Sequence, residues 1–152
     1  MLTGIGFAQQ KAPDASFKVG DQTVTLSHFR GKKVMLWLFS TWCPSCRAGV
    51  QALAKKQATL EKTGLDIIAL RNYKNGGYPG PSIAGFVQKA APSLLKADNW
   101  TLGEATKKLE EKYNGRGYPD IYFLINTKGE IVTVNGSPGA NMDEILAFAH
   151  SK

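Results

Sequence analysis

The sequence predicts an α/β chain, with a central mixed sheet flanked by helices and an N-terminal β-hairpin ahead of it. Three observations carry this. Residues 34–40, Val-Met-Leu-Trp-Leu-Phe-Ser, form an apolar run of strand length, and residues 65–70 form a second one that reads as buried on both faces. Between them a helical pattern puts Val50, Leu53, Gln57 and Leu60 on one face and stops at Gly64. Strand, helix, strand in that order makes a parallel unit with a right-handed crossover. The third observation is a late hairpin, 121–126 and 131–135, across Thr127-Lys128-Gly129-Glu130. It adds antiparallel strands and makes the sheet mixed.

The other elements follow in chain order. Residues 17–19 and 22–25 flank the turn Gly20-Asp21 as the N-terminal hairpin. Residues 26–29 make one helical turn, and Arg30-Gly31-Lys32-Lys33 turns into the first apolar strand. Residues 47–62 read as a single helix. Residues 72–82 are a loop rich in Gly and Pro, and a helix follows over 82–91, ended by Pro92. Thr101-Leu102-Gly103-Glu104 matches a capping box and predicts a helix with Leu102, Ala105, Leu109 and Tyr113 inward, closed by Asn114-Gly115. A last helix begins at 141–144 and turns Met142, Ile145, Leu146 and Ala149 to one side.

At 152 residues the chain suits one domain, taken here as 12–152, with 1–11 a flexible N-terminus or the remnant of a signal or anchor segment. No internal repeat or low-complexity stretch divides it. The net charge of +7 is spread as pairs such as Lys32-Lys33, Lys55-Lys56 and Lys107-Lys108, and two of these lie on predicted helices, where a solvated face is the ordinary outcome. No basic run is interleaved with aromatics, which argues against nucleic acid. The charge is compatible with acidic partners or an anionic membrane surface. No apolar stretch is long enough to span a membrane.

Cys43-Pro44-Ser45-Cys46, directly after Trp42, holds the chain's only two cysteines. Two thiols in C-x-x-C at the start of a helix can close into a small disulfide and reopen. The first turn of a helix presents unpaired N–H groups and the positive end of the macrodipole, which favour a thiolate. Cys43 is expected at the N-cap as the exposed attacker with the lower pKa. Pro44 takes the first helical position, and Cys46 sits shielded as the resolving thiol, with the Arg47 charge nearby. Zinc would need four ligands, and His28 and His150 lack finger or knuckle spacing. A structural disulfide over two residues would restrict almost no chain entropy. A peroxidatic cysteine would want Thr and Pro where this chain has Ser40 and Leu36.

Several stretches resemble the thioredoxin-fold thiol–disulfide oxidoreductases, and within them the TlpA, ResA and DsbE (CcmG) group. They are Ala12-Pro13-Asp14-Ala15-Ser16-Phe17, residues 24–32, Leu36 through Arg47, and Gly117-Tyr118-Pro119-Asp120-Ile121-Tyr122-Phe123-Leu124-Ile125-Asn126 followed by Gly129. The resemblance implies a thioredoxin-like fold and exchange of a Cys43–Cys46 dithiol with partner proteins. It leans to disulfide reduction, in cytochrome c maturation or in the maintenance of exported thiols. It implies an extracytoplasmic location, periplasmic or at the cell surface, with a membrane tether as one option. The partners are protein thiols and disulfides plus an upstream electron donor or acceptor. No cofactor and no metal are called for, and the chain is expected to be a monomer. A non-enzymatic redox-sensing module and a thiol peroxidase are the alternatives.

The same resemblance implies that Tyr118–Pro119 is cis, with the backbone just before it free to pair with an extended substrate segment. Trp42, Pro44, Ser45, Tyr118 and Pro119 become the substrate-contacting set. Two departures stand out, and the first is the dipeptide between the cysteines, Pro44-Ser45 where thioredoxins carry Gly-Pro. Trp37 occupies the position where thioredoxins carry a buried Asp, and it cannot accept a proton. Asp120 is then the nearest candidate acceptor, unless it is simply a solvated residue at a strand start. The loop 72–82 is expected at the same sheet edge as Cys43, where Tyr73 and Tyr78 either shape a groove or pack on the body.

Overall fold

The computed structural model describes residues 10–152. Eight strands form one sheet: β1 (Gln10–Lys11), β2 (Ser16–Val19), β3 (Gln22–Thr25), β4 (Val34–Phe39), β5 (Asp66–Arg71), β6 (Trp100–Ala105), β7 (Asp120–Ile125) and β8 (Glu130–Asn135). Their order across the sheet is β1-β8-β7-β4-β5-β6-β2-β3. The helices are α1 (Pro44–Lys55), α2 (Gln57–Lys62), α3 (Ile83–Ala90), α4 (Lys107–Tyr113) and α5 (Met142–His150), joined by several 3-10 turns.

β4 is the central strand, parallel to β5 on one side and antiparallel to β7 on the other. All six of its residues are buried, because both faces of the sheet are covered. Met35, Trp37 and Phe39 point to one layer with Val50, Leu53, Phe86, Val87 and Ile145 from the helices. Val34, Leu36 and Leu38 point to the other, with Phe17, Leu109 and Tyr113. The period-2 alternation of a strand thus feeds two cores. Sheet, βαβ unit, late hairpin and N-terminal hairpin stand as the sequence predicts.

Three expectations change. The capping box at 101–104 does not start a helix: those residues lie in β6, parallel to β5 from Ile67↔Trp100 to Arg71↔Glu104. Glu104, instead of reaching back to a helix terminus, pairs with Arg71 at 2.7 Å. Gly103 is there for close approach, since a Cβ would clash with the Lys18 carbonyl of β2. The helix starts after Thr106, whose hydroxyl accepts from Leu109 N–H. The helix read over 47–62 is two, broken at Lys56 (φ −105°, ψ 8°). There Gln57 is drawn toward β6, donating to Asn99 at 2.6 Å and accepting from the Trp100 indole at 3.0 Å. Finally, Gln10–Lys11, assigned from sequence to the loose N-terminus, pair with Ile131 and Glu130 as a sheet-edge strand. Residues 1–9, where a signal or anchor remnant was expected, lie outside the described residues.

Candidate active site

β4 delivers the chain to its C-terminal end, where Ser40, Thr41 and Trp42 lead into the N-cap of α1. Cys43 is that N-cap, in extended conformation, and Pro44 follows at the first helical position. This is the expected arrangement: a proline loses nothing where the N–H has no helical partner. Cys43 and Cys46 are free thiols with sulfurs 2.6 Å apart. Both are buried, but not equally: Cys43 keeps 6% of its surface exposed and Cys46 none. Cys43 is therefore less open than the sequence suggests, although it remains the more accessible of the two. Burial, the Asp120 carboxylate and the neighbouring Cys43 hold the Cys46 thiol well above the ordinary cysteine range, so it keeps its proton. Its sulfur also lies 3.4 Å from the Pro119 carbonyl.

Asp120 belongs to this centre and is not a solvated strand-start residue. It begins β7, opposite Phe39 of β4, and is half-buried. Its Oδ1 accepts the Trp37 indole N–H at 2.8 Å and its Oδ2 accepts the Ser45 hydroxyl at 2.7 Å. Ser45 Oγ lies 3.2 Å from Cys43 Sγ. The sulfurs of Cys43 and Cys46 and a carboxylate oxygen of Asp120 all fall within 4.8 Å of one another. Trp37 thus does not replace a buried acid by becoming a base; it holds an acid that arrives from the next strand. The room for its ring comes from α1, where a Cβ on Gly49 would sit 2.9 Å from Trp37 Cη2.

A second network braces the segments next to the thiols, built from three buried asparagines that sequence reading missed. Asn75 Oδ1 accepts Thr41 N–H at 2.8 Å, its Nδ2 donates to Thr41 Oγ1 at 3.0 Å, and its carbonyl accepts the Trp42 indole N–H at 2.7 Å. Lys74, Asn75 and Gly76 are left-handed, at φ 52°, 55° and 71°. A non-glycine run of that kind is strained and persists only where the surroundings hold it. Asn72 donates to Ser40 Oγ at 2.9 Å, and Asn114 donates to Tyr118 O at 2.8 Å and accepts Tyr118 N–H at 2.8 Å. Glu110 joins this side, accepting Tyr73 N–H at 2.8 Å and the Asn114 amide at 3.0 Å.

That network corrects two expectations. No peptide bond among the described residues is cis, Tyr118–Pro119 included. The Tyr118 backbone is not free for a substrate strand either, because Asn114 takes both its N–H and its C=O. Ser40 N–H likewise takes the Pro119 carbonyl at 3.0 Å. Side chains, not this backbone, face outward: Trp42, Pro44, Ser45, Tyr118 and Pro119 all lie exposed around the thiols. Tyr78 meets Trp42 edge to face at 5.4 Å, so the 72–82 loop borders the site as expected, while Tyr73 sits beside the Lys74 ammonium.

Among the described residues, Cys43, Cys46 and Asp120 form the one cluster of three metal-ligating side chains. Both carboxylate oxygens are already hydrogen-bonded, and neither His28 nor His150 takes part. This donor set falls short of a closed four-ligand zinc site.

The arrangement is that of a dithiol able to exchange with another disulfide, and comparison with known proteins agrees. An uncharacterised protein of Haemophilus influenzae is 29% identical over 144 residues, spanning 94% of this chain and 88% of that protein. The thioredoxin-like protein YneN of Bacillus subtilis is 28% identical over 130 residues, 83% of this chain and 69% of that one. Among solved structures, a thiol:disulfide interchange protein of the thioredoxin family from Chlorobium tepidum superposes with a TM-score of 0.69 at 21% identity, covering 94% of this chain and 97% of that chain. The family model described as Redoxin matches residues 7–144, nearly the whole sequence, and the chain therefore belongs to the Redoxin family, on a thioredoxin-like fold.

Proposed function

We propose that this Redoxin-family thiol–disulfide oxidoreductase uses Cys43 as nucleophile and Cys46 as resolving thiol to reduce disulfides in partner proteins. The observation that carries the assignment is the asymmetry of the pair: two adjacent free thiols, of which only Cys43 retains surface and sits at a helix N-terminus. The Cys43 sulfur attacks one sulfur of the partner disulfide. The Cys43–partner bond forms and the partner's S–S bond breaks, with the electron pair and a proton going to the released sulfur. Cys46 then attacks Cys43, the Cys43–Cys46 bond closes, and the second partner sulfur leaves as a thiol. Two electrons pass from the dithiol to the partner, and an upstream donor must restore the dithiol.

Trp42 and Tyr118, both exposed near the thiols, offer apolar faces to the arriving polypeptide. An open recess of about 230 Å³ beside Asp120, lined by Tyr118, Ile121, Val134, Asn135 and Gly136, has room for a partner side chain. The resemblance to the TlpA, ResA and DsbE group supports an extracytoplasmic setting for this chemistry. No helix among the described residues is long and apolar enough to cross a membrane.

The test is reduction of insulin with dithiothreitol as donor, together with a redox titration in glutathione buffers. Rapid turnover is expected, with a potential on the reducing side of the roughly −270 to −120 mV that C-x-x-C proteins span. No turnover would instead favour a gating module in which the disulfide only switches a surface. A potential near the oxidising end would reverse the direction.

A further inference from the structure

The second step of exchange sets a proton problem that Cys43 and Cys46 do not solve. Cys46 is fully buried and must lose a proton as it attacks, while the partner sulfur leaving Cys43 must gain one. Asp120 lies within 4.8 Å of both sulfurs, and each of its oxygens accepts one hydrogen bond, from Trp37 or from Ser45, and keeps a lone pair for a proton. Ser45 has one hydroxyl proton. With that proton given to Asp120 at 2.7 Å, the oxygen turns a lone pair toward Cys43 at 3.2 Å. Ser45 is also exposed, and its hydroxyl lies within reach of Cys43, the sulfur to which a partner is bonded in the mixed disulfide.

Resting on the exchange reading above, we infer that Ser45 and Asp120 form a proton relay from the resolving thiol to the departing thiol. The Cys46 S–H bond breaks and its proton goes to Asp120. The electron pair left on Cys46 forms the bond to Cys43, and the Cys43–partner bond breaks with its pair on the partner sulfur. Ser45 gives its hydroxyl proton to that sulfur and takes the proton from Asp120 in return. Ser45 and Asp120 end as they began, and no proton is drawn from solvent. The raised proton affinity of Cys46 agrees with this, since a thiol that holds its proton until it attacks needs a base at that moment. Trp37 is a positioning residue: its indole N–H pins Oδ1 and leaves Oδ2 to Ser45.

The test uses the reduced full-length protein in stopped-flow single turnovers against two small disulfides. One, 5,5′-dithiobis(2-nitrobenzoate), releases an aromatic thiolate that needs no proton; the other, bis(2-hydroxyethyl) disulfide, releases an alkyl thiol that does. Ser45→Ala is expected to lower the alkyl-to-aromatic rate ratio about tenfold, below the usual range for general acid catalysis because sulfur is already a fair leaving group. Ser45→Thr, which keeps the hydroxyl, restores the ratio. Asp120→Asn lowers it as well, and the Ser45→Ala/Asp120→Asn double variant is no worse than the worse single variant, as one relay requires. An unchanged ratio in Ser45→Ala, multiplying effects in the double variant, or failure of Ser45→Thr to rescue would each overturn the relay and leave the exchange reading standing. A wild-type protein that reduces neither disulfide would overturn the exchange reading, and the relay with it.

Discussion

The two networks that flank the thiols differ in kind. On one side, Ser45, Asp120 and Trp37 contain an acid and a hydroxyl whose proton can sit toward either neighbour. On the other, the side-chain amides of Asn72, Asn75 and Asn114 hydrogen-bond Ser40, Thr41, Tyr118, Glu110 and one another, and the Asn75 carbonyl holds the Trp42 indole. Amides neither gain nor lose protons in this pH range. The first network can therefore take part in the exchange, while the amides of the second can only hold shape; its one acid, Glu110, bonds Tyr73 N–H and Asn114 and touches neither thiol. A redox centre that must swap a bond between two sulfurs needs both properties, and here they are carried by separate sets of side chains.

The largest expected effect tests the centre that both sides serve. Cys46→Ala should abolish turnover and accumulate mixed disulfides with partner proteins, whereas Cys43→Ala should abolish turnover and trap nothing. Trapping by the Cys43 variant would reverse the order of the thiols. Next, Asn75→Ala should lower unfolding free energy by about 1–3 kcal/mol, because it strands the buried Thr41 N–H, yet leave the alkyl-to-aromatic ratio where it was. If that ratio moves as it does in Ser45→Ala, the division between the two sides is wrong. Trp37→Phe keeps most of the ring but loses the N–H to Asp120, so it should move the ratio in the same direction as Ser45→Ala and by less.

The smallest effect concerns Glu110, the one carboxylate in the amide lattice. Burial raises its pKa above the ordinary 4.5, against the opposing pull of Tyr73 N–H and the Asn114 amide. A raised folded-state value means the folded protein binds this proton more tightly than the unfolded chain does. The contribution is then present below the unfolded value and is lost as pH rises through the folded one. Urea midpoints should show the stability difference between Glu110→Gln and wild type shifting in favour of the variant from about pH 4 to 7. A difference that is flat across that window would mean Glu110 does not titrate differently on folding.

What could be read from sequence divides along physical lines. β4, the cap at Cys43 and Pro44 at the first helical position rest on local pattern and chemistry, and they stand. The capping box at 101–104 is a local pattern too, but pairing with β5 and the close approach of β2 at Gly103 override it. Asn75 and Asn114 look like turn residues beside glycines and Asn72 like the start of a loop, since nothing local says that their amides will be buried against Ser40, Thr41 and Tyr118. Trp37 in an apolar strand reads as core filler, and only the register of β4 against β7 brings its N–H to Asp120. The free Tyr118 backbone is an expectation of the family resemblance, and nothing local shows that Asn114, four residues earlier at a helix end, takes both of its polar groups.

Gly49 carries a consequence of its own. Glycine inside a helix costs about 1 kcal/mol against alanine, so this position forgoes stability that a methyl group would supply. It does so because the Trp37 ring occupies the methyl's place, 2.9 Å from where that carbon would be. Positions 37 and 49, on different elements, are thus one hereditary unit: the indole can be inherited only with the gap that admits it. A lineage that shrank residue 37 would remove the nearest obstacle to alanine at 49 and leave only the Pro138 ring, 3.3 Å from the methyl's place, but Asp120 would lose its anchor in the same step. The spacing between an acid and two sulfurs is set, in this protein, by an absent side chain on the far side of a tryptophan.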